Sequence, residues 1–167
     1  MKVLLTKEEI ARRVAELGAE ITQSYQGKDL TVVVILNGAL LFASDLVRQI
    51  ELPLRIDSFA ASSYEHDHSS GTMTVRSHLK LPVQNRNILL IDDILDTGLS
   101  MKFLVRHFQD LGAASVKTCV LLDKMLDHKH YGKVDWCGFR IPNRYVVGYG
   151  LDSEEMYRHL PYIAIIE

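Results

Sequence analysis

The stretch Ile88-Leu89-Leu90-Ile91-Asp92-Asp93-Ile94-Leu95-Asp96-Thr97-Gly98-Leu99-Ser100 sets two adjacent carboxylates, a third carboxylate and two hydroxyls just beyond an apolar run. The four apolar residues read as a strand buried on both faces. Unpaired charge inside such a strand is very costly, so Asp92 and Asp93 are expected at its carboxyl end, the edge where open α/β sheets bind ligands. Asp96, Thr97, Gly98 and Ser100 then form a short loop entering a helix. Together they can bring backbone amides, two hydroxyls and a helix dipole to one point, which suits a phosphate monoester. A carboxylate repels phosphate, so Asp96 is expected to point away, toward another part of the same ligand. The pattern therefore asks for a phosphate, vicinal hydroxyls for the acidic pair, and a third group for Asp96. A strand–turn–helix whose acids only cap the helix is the plain rival, and the ordered pattern weighs against it. Neither Gly-x-Gly-x-x-Gly nor Gly-x-x-x-x-Gly-Lys-Ser/Thr is present.

The elements that must position these groups follow from periodicity. Thr6-Lys7-Glu8-Glu9 has capping-box form, and Ile10, Val14, Leu17 and Ile21 behind it recur at helical spacing. Leu30–Leu36 and Val116–Leu122 read as further buried strands, and Leu54–Ser62 as a less apolar one. Asn37-Gly38 breaks the first run, and a helix follows through Leu41, Asp45 and Val47. Met101, Leu104, Val105, Phe108 and Leu111 mark another helix, with Gly112 at its C-terminal cap. Met73, Val75, Ser77 and Leu79 alternate with polar residues beyond a polar stretch at 64–71, so an exposed hairpin with a long tip is expected over 57–80. Apolar segments resume at Trp136–Ile141, Tyr145–Tyr149 and Tyr162–Ile166. Alternating strands and helices predict an α/β domain with a largely parallel central sheet.

Composition bounds the function. The 167 residues are 47% hydrophobic and 24% charged, with a net charge of −2, which suits one globular domain and excludes fibrous or disordered chains. Near-neutral charge speaks against a nucleic-acid partner held by a cationic face. The apolar runs fall short of the roughly 18 residues a membrane span needs, and the N-terminus lacks a signal-peptide core. Cys119 and Cys137 read as buried thiols in a reducing compartment, so a cytoplasmic location is expected. His66 and His68 flank Asp67 in the polar tip and read as exposed histidines. Trp136 reads as core or interface.

The acid-rich segment resembles the phosphoribosyl-pyrophosphate signature of type I phosphoribosyltransferases, and the chain as a whole resembles their hypoxanthine (hypoxanthine-guanine) branch. The resemblance is carried also by Leu121-Leu122-Asp123-Lys124, by Gly138-Phe139-Arg140-Ile141-Pro142, by Tyr145 through Asp152, and by Tyr157-Arg158. It implies an α/β fold with a mostly parallel central sheet flanked by helices, a small hood and a flexible β-hairpin lid, all in one domain over 1–167. By resemblance, Asp92 and Asp93 hold the ribose hydroxyls near Mg2+, and Ile94 to Ser100, Thr97, Gly98 and Leu99 included, surround the 5′-phosphate. Asp96 matches the proposed general base. Lys124 matches the donor to the purine's exocyclic oxygen, Tyr145 the aromatic that stacks on the base, and Val146 the backbone at its edge. Asp152 matches a purine-side, magnesium-linked carboxylate. Asn37, Gly38 and Arg158 match the pyrophosphate-binding groups, and Ser63 and Tyr64 the start of the lid. Asn37 departs from the Lys or Arg usual there, Ser153 from a frequent aromatic, and the His-rich tip from a Gly/Ser-rich lid. The resemblance also implies a homodimer or homotetramer.

The expected reaction is displacement at the anomeric carbon of phosphoribosyl pyrophosphate by a 6-oxopurine nitrogen, with magnesium neutralising the departing pyrophosphate. Three alternatives stand beside it: a xanthine-preferring transferase, a nucleotide-binding regulatory protein on this fold, and a non-catalytic phosphate-binding domain.

Overall fold

The structure is a computed structural model. It describes residues 1–60, 79–126 and 131–166, with 64–66 and 73–75 described by their backbone. In chain order the elements are β1 (Lys2–Leu5), α1 (Lys7–Ser24), β2 (Thr31–Leu36), α2 (Leu40–Val47), β3 (Arg55–Ala60), β4 (Tyr64–His66), β5 (Met73–Val75), β6 (Asn87–Leu95), α3 (Leu99–Asp110), β7 (Ser115–Lys124), β8 (Trp136–Ile141), β9 (Val146–Val147) and β10 (Ile163–Ile165).

Five strands make one parallel sheet in the order β3-β2-β6-β7-β8. Their continuous apolar runs are explained by cover on both faces. On one face Val32, Val34, Leu89, Ile91, Cys119 and Leu121 pack with α1 and α2 residues such as Leu17, Ile21, Phe42 and Leu46. On the other, Val33, Ile35, Leu90 and Val120 pack with Met101, Leu104 and Phe108 of α3. The connection through α2 leads from β2 outward to β3, whereas the one through α3 leads from β6 the opposite way to β7. The strand order thus reverses between β2 and β6, and a crevice opens at the carboxyl ends of the two strands.

Local chemistry fixes the helix ends as expected. Thr6 Oγ1 accepts from the Glu9 amide at 3.2 Å and the Thr6 amide donates to Glu9 Oε2 at 2.8 Å, the reciprocal capping box. At the end of α3, Gly112 takes a φ of +85°. Its amide bonds Gln109 O at 2.9 Å while that of Ala113 bonds Phe108 O at 3.2 Å, a Schellman closure that glycine makes without strain.

Two expectations change. Arg55–Ala60 runs parallel to β2 in the main sheet, so the hairpin expected over 57–80 is confined to the antiparallel pair β4–β5, with Tyr64 opposite Val75 and His66 opposite Met73. Its first strand is drawn into the sheet because β2 offers an open ladder edge. The N-terminus, unassigned from sequence, is a strand: β1 pairs β10, and β10 pairs β9, in a small antiparallel sheet. This sheet and the segment up to Arg158 form the hood. Ser63 and the tip residues 67–72 lie outside the described residues.

Candidate active site

Asp92 and Asp93 do not end their strand, as expected, but lie within it. β6 continues to Leu95 against β7, with Asp92 opposite Val120 and Leu95 opposite Asp123. Pairing with β2 stops at Ile91. The acids are tolerated because one neighbour has peeled away. Their own carboxylates take up local amides: Asp92 Oδ1 accepts from the Asp93 amide at 2.9 Å and Asp93 Oδ1 from the Ile94 amide at 2.8 Å. Burial, and then the closeness of the two carboxyls, push Asp92 well above the usual carboxylate range, and burial raises Asp93.

Across the crevice the chain leaves β2 through Leu36, a cis Leu36–Asn37 peptide and Gly38. A side chain at position 38 would drive into the Asp93 carboxylate, so glycine here sets how closely the β2 loop approaches the acids. Beyond β6, Gly98 adopts a φ of +84° as the residue before α3. It supplies no side chain, and the first-turn amides of a helix have no intrahelical partners. Thr97 and Ser100 flank this open helix end, with Thr97 Oγ1 3.4 Å from the Leu99 amide. A Cβ on Gly98 would press on Tyr131.

A cavity of about 350 Å³ runs along these groups, lined among others by Asn37, Gly38, Asp92, Asp93, Thr97 and Arg158. A second, of about 210 Å³, is lined by Lys124, Tyr145, Val146 and Leu151. The two share Asp93, Ile94, Asp96 and Asp152 as a common wall. Asp96 lines both cavities, and Lys124 Nζ lies 3.0 Å from its Oδ2. Tyr145 is 56% exposed, leaving its ring free to cover a flat ligand, while its hydroxyl donates to Asp152 O at 3.2 Å.

Arg158 reaches in from the hood. Nη1 donates to Gly150 O at 2.7 Å and Nη2 lies 3.0 Å from Asp152 Oδ1. Its buried Nε has no hydrogen-bond partner among the described residues, a costly condition that an anionic ligand would relieve. Asn37, Gly38, Asp92, Asp93, Asp96, Thr97, Gly98, Ser100, Lys124, Tyr145, Val146, Asp152 and Arg158 thus line one continuous crevice, whereas Leu99 begins α3 without lining either cavity. Tyr64 is described only as backbone of β4 and Ser63 not at all.

Among the described residues, no group of three His, Cys, Asp or Glu side chains is placed to hold a metal ion. Asp92, Asp93 and Asp152 therefore do not form a cage: Asp152 is engaged by Arg158 and by the Glu155 amide at 2.9 Å. The hard oxygens of the Asp92–Asp93 pair fit magnesium in its usual setting, in which one or two carboxylates share the ion with water and substrate phosphates. Sequence reasoning passed over Tyr131, packed against Gly98, and Asp45 and Tyr149, whose side chains meet at 2.5 Å. No local pattern announces contacts made across 104 residues.

A family model described as a phosphoribosyl transferase domain matches residues 2–154. A hypoxanthine-guanine phosphoribosyltransferase of Bacillus subtilis is 43% identical over 99% of this chain and 93% of its own length. A hypoxanthine-guanine-xanthine phosphoribosyltransferase of Tritrichomonas foetus is 38% identical over 99% of this chain and 91% of its own. The crystal structure of a hypoxanthine phosphoribosyltransferase from Staphylococcus aureus superposes with a TM-score of 0.93 at 40% identity, covering 100% of this chain and 91% of that one.

Proposed function

The chain belongs to the phosphoribosyl transferase domain family, and on that premise we propose that it is a purine-salvage transferase joining hypoxanthine or guanine to phosphoribosyl pyrophosphate, with release of pyrophosphate. The observation that carries this reading is the pair of adjoining cavities with a common acidic wall. One offers an open helix end and a buried guanidinium N–H suited to phosphates; the other offers an ammonium and an exposed ring suited to an oxopurine.

A bond forms between a purine ring nitrogen and the anomeric carbon as the carbon–oxygen bond to pyrophosphate breaks, its electron pair leaving with the pyrophosphate. Asp92 and Asp93 accept from the ribose hydroxyls, and their negative potential, with that of Asp96, stabilises positive charge developing on the sugar. Asp96 accepts the proton the purine gives up. Lys124 donates to the 6-oxygen; an amino group there leaves the ammonium unpaired, so adenine is disfavoured. Tyr145 stacks on the base and Val146 borders its edge. Thr97, Gly98 and Ser100 hold the 5′-phosphate at the start of α3. Asn37, through its peptide with Gly38, and Arg158 bind the pyrophosphate. Asp92 and Asp93, with Asp152 nearby, would hold magnesium, which when bound would supply charge neutralisation for the leaving group.

The same reading places the protein in the cytoplasm as one domain, without nucleic-acid or membrane partners. Among the described residues no helix is long and apolar enough to cross a membrane. Assembly as a dimer or tetramer is supported by an apolar groove at α2 and β3 where Leu40 and Ile56 are 52% and 53% exposed. Similarity to the Tritrichomonas foetus enzyme favours a second reading with xanthine as a further substrate. One assay tests both: magnesium-dependent pyrophosphate release with hypoxanthine, guanine, xanthine and adenine in turn. Release with the first two and little with adenine is expected. Release with none of them would sink the transferase reading, and release with xanthine decides the second.

A further inference from the structure

Tyr149 sits in the hood turn between two glycines, 8% exposed, with a φ of +51° that a side-chain-bearing residue rarely adopts. Its amide donates to Leu160 O at 2.8 Å. Its hydroxyl crosses to the main domain and donates to Asp45 Oδ2 on α2 at 2.5 Å. The other carboxylate oxygen of Asp45 accepts from Arg48 Nη2 at 2.6 Å. Burial, then the Asp45 carboxylate beside it, raises the phenol far above its ordinary range, and it stays a donor.

What this contact spans matters. α2 begins at Leu40, directly after the Asn37–Gly38 peptide, and the Leu40 amide bonds Asn37 O at 3.1 Å. On the hood side, Gly150 exchanges two bonds with Arg158: its amide donates to Arg158 O at 2.9 Å, and its carbonyl accepts from Arg158 Nη1 at 2.7 Å. Gly150, with a φ of +105°, also lies so close to Gly38 O that a Cβ would collide with it. The backbone contact sets the distance between the two halves of the wall, but it is not directional. One residue away, a short bond from Tyr149 to a helix rooted in the other half adds a directional contact to the packing between them.

We propose that Tyr149 is a positioning residue for the pyrophosphate end of the site, its hydroxyl on Asp45 keeping Arg158 in register with the Asn37–Gly38 peptide. This rests on assigning those three residues to pyrophosphate. A hydrogen bond to an ionised carboxylate is among the stronger kinds, and a guanidinium misplaced by an ångström loses its paired contacts with an anion.

The test uses the full chain, steady-state kinetics with hypoxanthine and phosphoribosyl pyrophosphate, and inorganic pyrophosphate as inhibitor. In Tyr149→Phe the KM for phosphoribosyl pyrophosphate and the Ki for pyrophosphate should each rise about fivefold or more, while the KM for hypoxanthine moves less than about twofold. Asp45→Asn, which keeps an acceptor, should be affected less than Asp45→Ala. This pair of variants reads the same link should Tyr149→Phe fail to fold. Equal changes in both KM values, or none, overturn the positioning role, because a loss of general stability does not choose between substrates. Arg158→Gln separates the two layers. If it raises the pyrophosphate Ki and Tyr149→Phe does not, only the positioning role fails. If Arg158→Gln leaves that Ki unchanged, the site assignment fails, and the positioning role with it.

Discussion

Asp96 and Lys124 form an ion pair at 3.0 Å, the acid 52% and the lysine 14% exposed. An ion pair with a half-exposed member holds about 0.2–1 kcal/mol, so an incoming purine can take over both partners at little cost, its oxygen facing the lysine and its ring N–H facing the acid. Asp96→Asn keeps size and polarity but cannot accept the proton. Turnover with hypoxanthine should fall about 10²–10⁴-fold while calorimetric binding of phosphoribosyl pyrophosphate is retained; normal turnover would remove Asp96 from the chemistry. Lys124→Ala should lower the ratio of kcat/KM for hypoxanthine over adenine by about tenfold or more, and an intact ratio would take Lys124 out of base recognition. Gly38 is a harder constraint, because the Asp93 carboxylate fills the space a Cβ needs. Gly38→Ala should abolish measurable phosphoribosyl-pyrophosphate binding while circular dichroism reports an unchanged sheet.

At the scale of elements, what could be read in advance was what short-range chemistry decides. The Thr6 capping box and the Gly112 cap formed where their residues stand, since each closes its hydrogen bonds within a few positions. The apolar runs at 31–36 and 88–91 read as buried strands because helices cover both faces. The Lys2–Leu5 strand was not legible, as its partners Ile163–Ile165 lie at the other end of the chain and four residues carry little pattern of their own. Helix α3 adds a pH response. His107 in its last turn lies among aromatic rings, with Phe59 and Phe103 at centroid distances of 5.9 and 6.0 Å. Burial lowers its pKa, the nearby Asp110 opposing only in part. The folded state therefore resists protonation that the unfolded chain accepts near pH 6.5. Stability is full above that value, declines as the pH falls below it, and the loss is complete once the folded pKa has been passed. The melting temperature of the wild type should drop more between pH 7.5 and 5.5 than that of His107→Phe; equal drops would assign the acid sensitivity elsewhere.

At the scale of the molecule, three walls distant in sequence meet in one crevice: the β2 exit at 37–38, the β6 exit at 92–100 and the hood at 145–158. The acids and the helix end were legible because a single segment carries them. The joining of hood to sheet through Asp45 and Tyr149 was not, since either residue alone reads as an ordinary helix acid or a core aromatic. This construction makes the two substrates unequal as stabilisers. Phosphoribosyl pyrophosphate would bridge all three walls, whereas a purine alone would touch the β6 and β7 ends and the hood but not the β2 exit. A ligand at a hundred times its Kd adds about 2.7 kcal/mol, and each kcal/mol raises Tm by about 2–4 °C for a chain of this size. With magnesium, phosphoribosyl pyrophosphate at that multiple should therefore raise Tm by about 5–11 °C, and hypoxanthine at one fixed concentration should give a smaller shift alone than once the other substrate is bound, because the completed crevice lowers its Kd. Because the described residues offer no three-ligand metal group, a chelator should leave the melting of the unliganded protein unchanged yet erase most of the shift due to phosphoribosyl pyrophosphate. A fall in Tm on chelation without ligand would reveal a metal that the fold itself requires, and full retention of the shift would mean that the acidic pair binds the sugar without one.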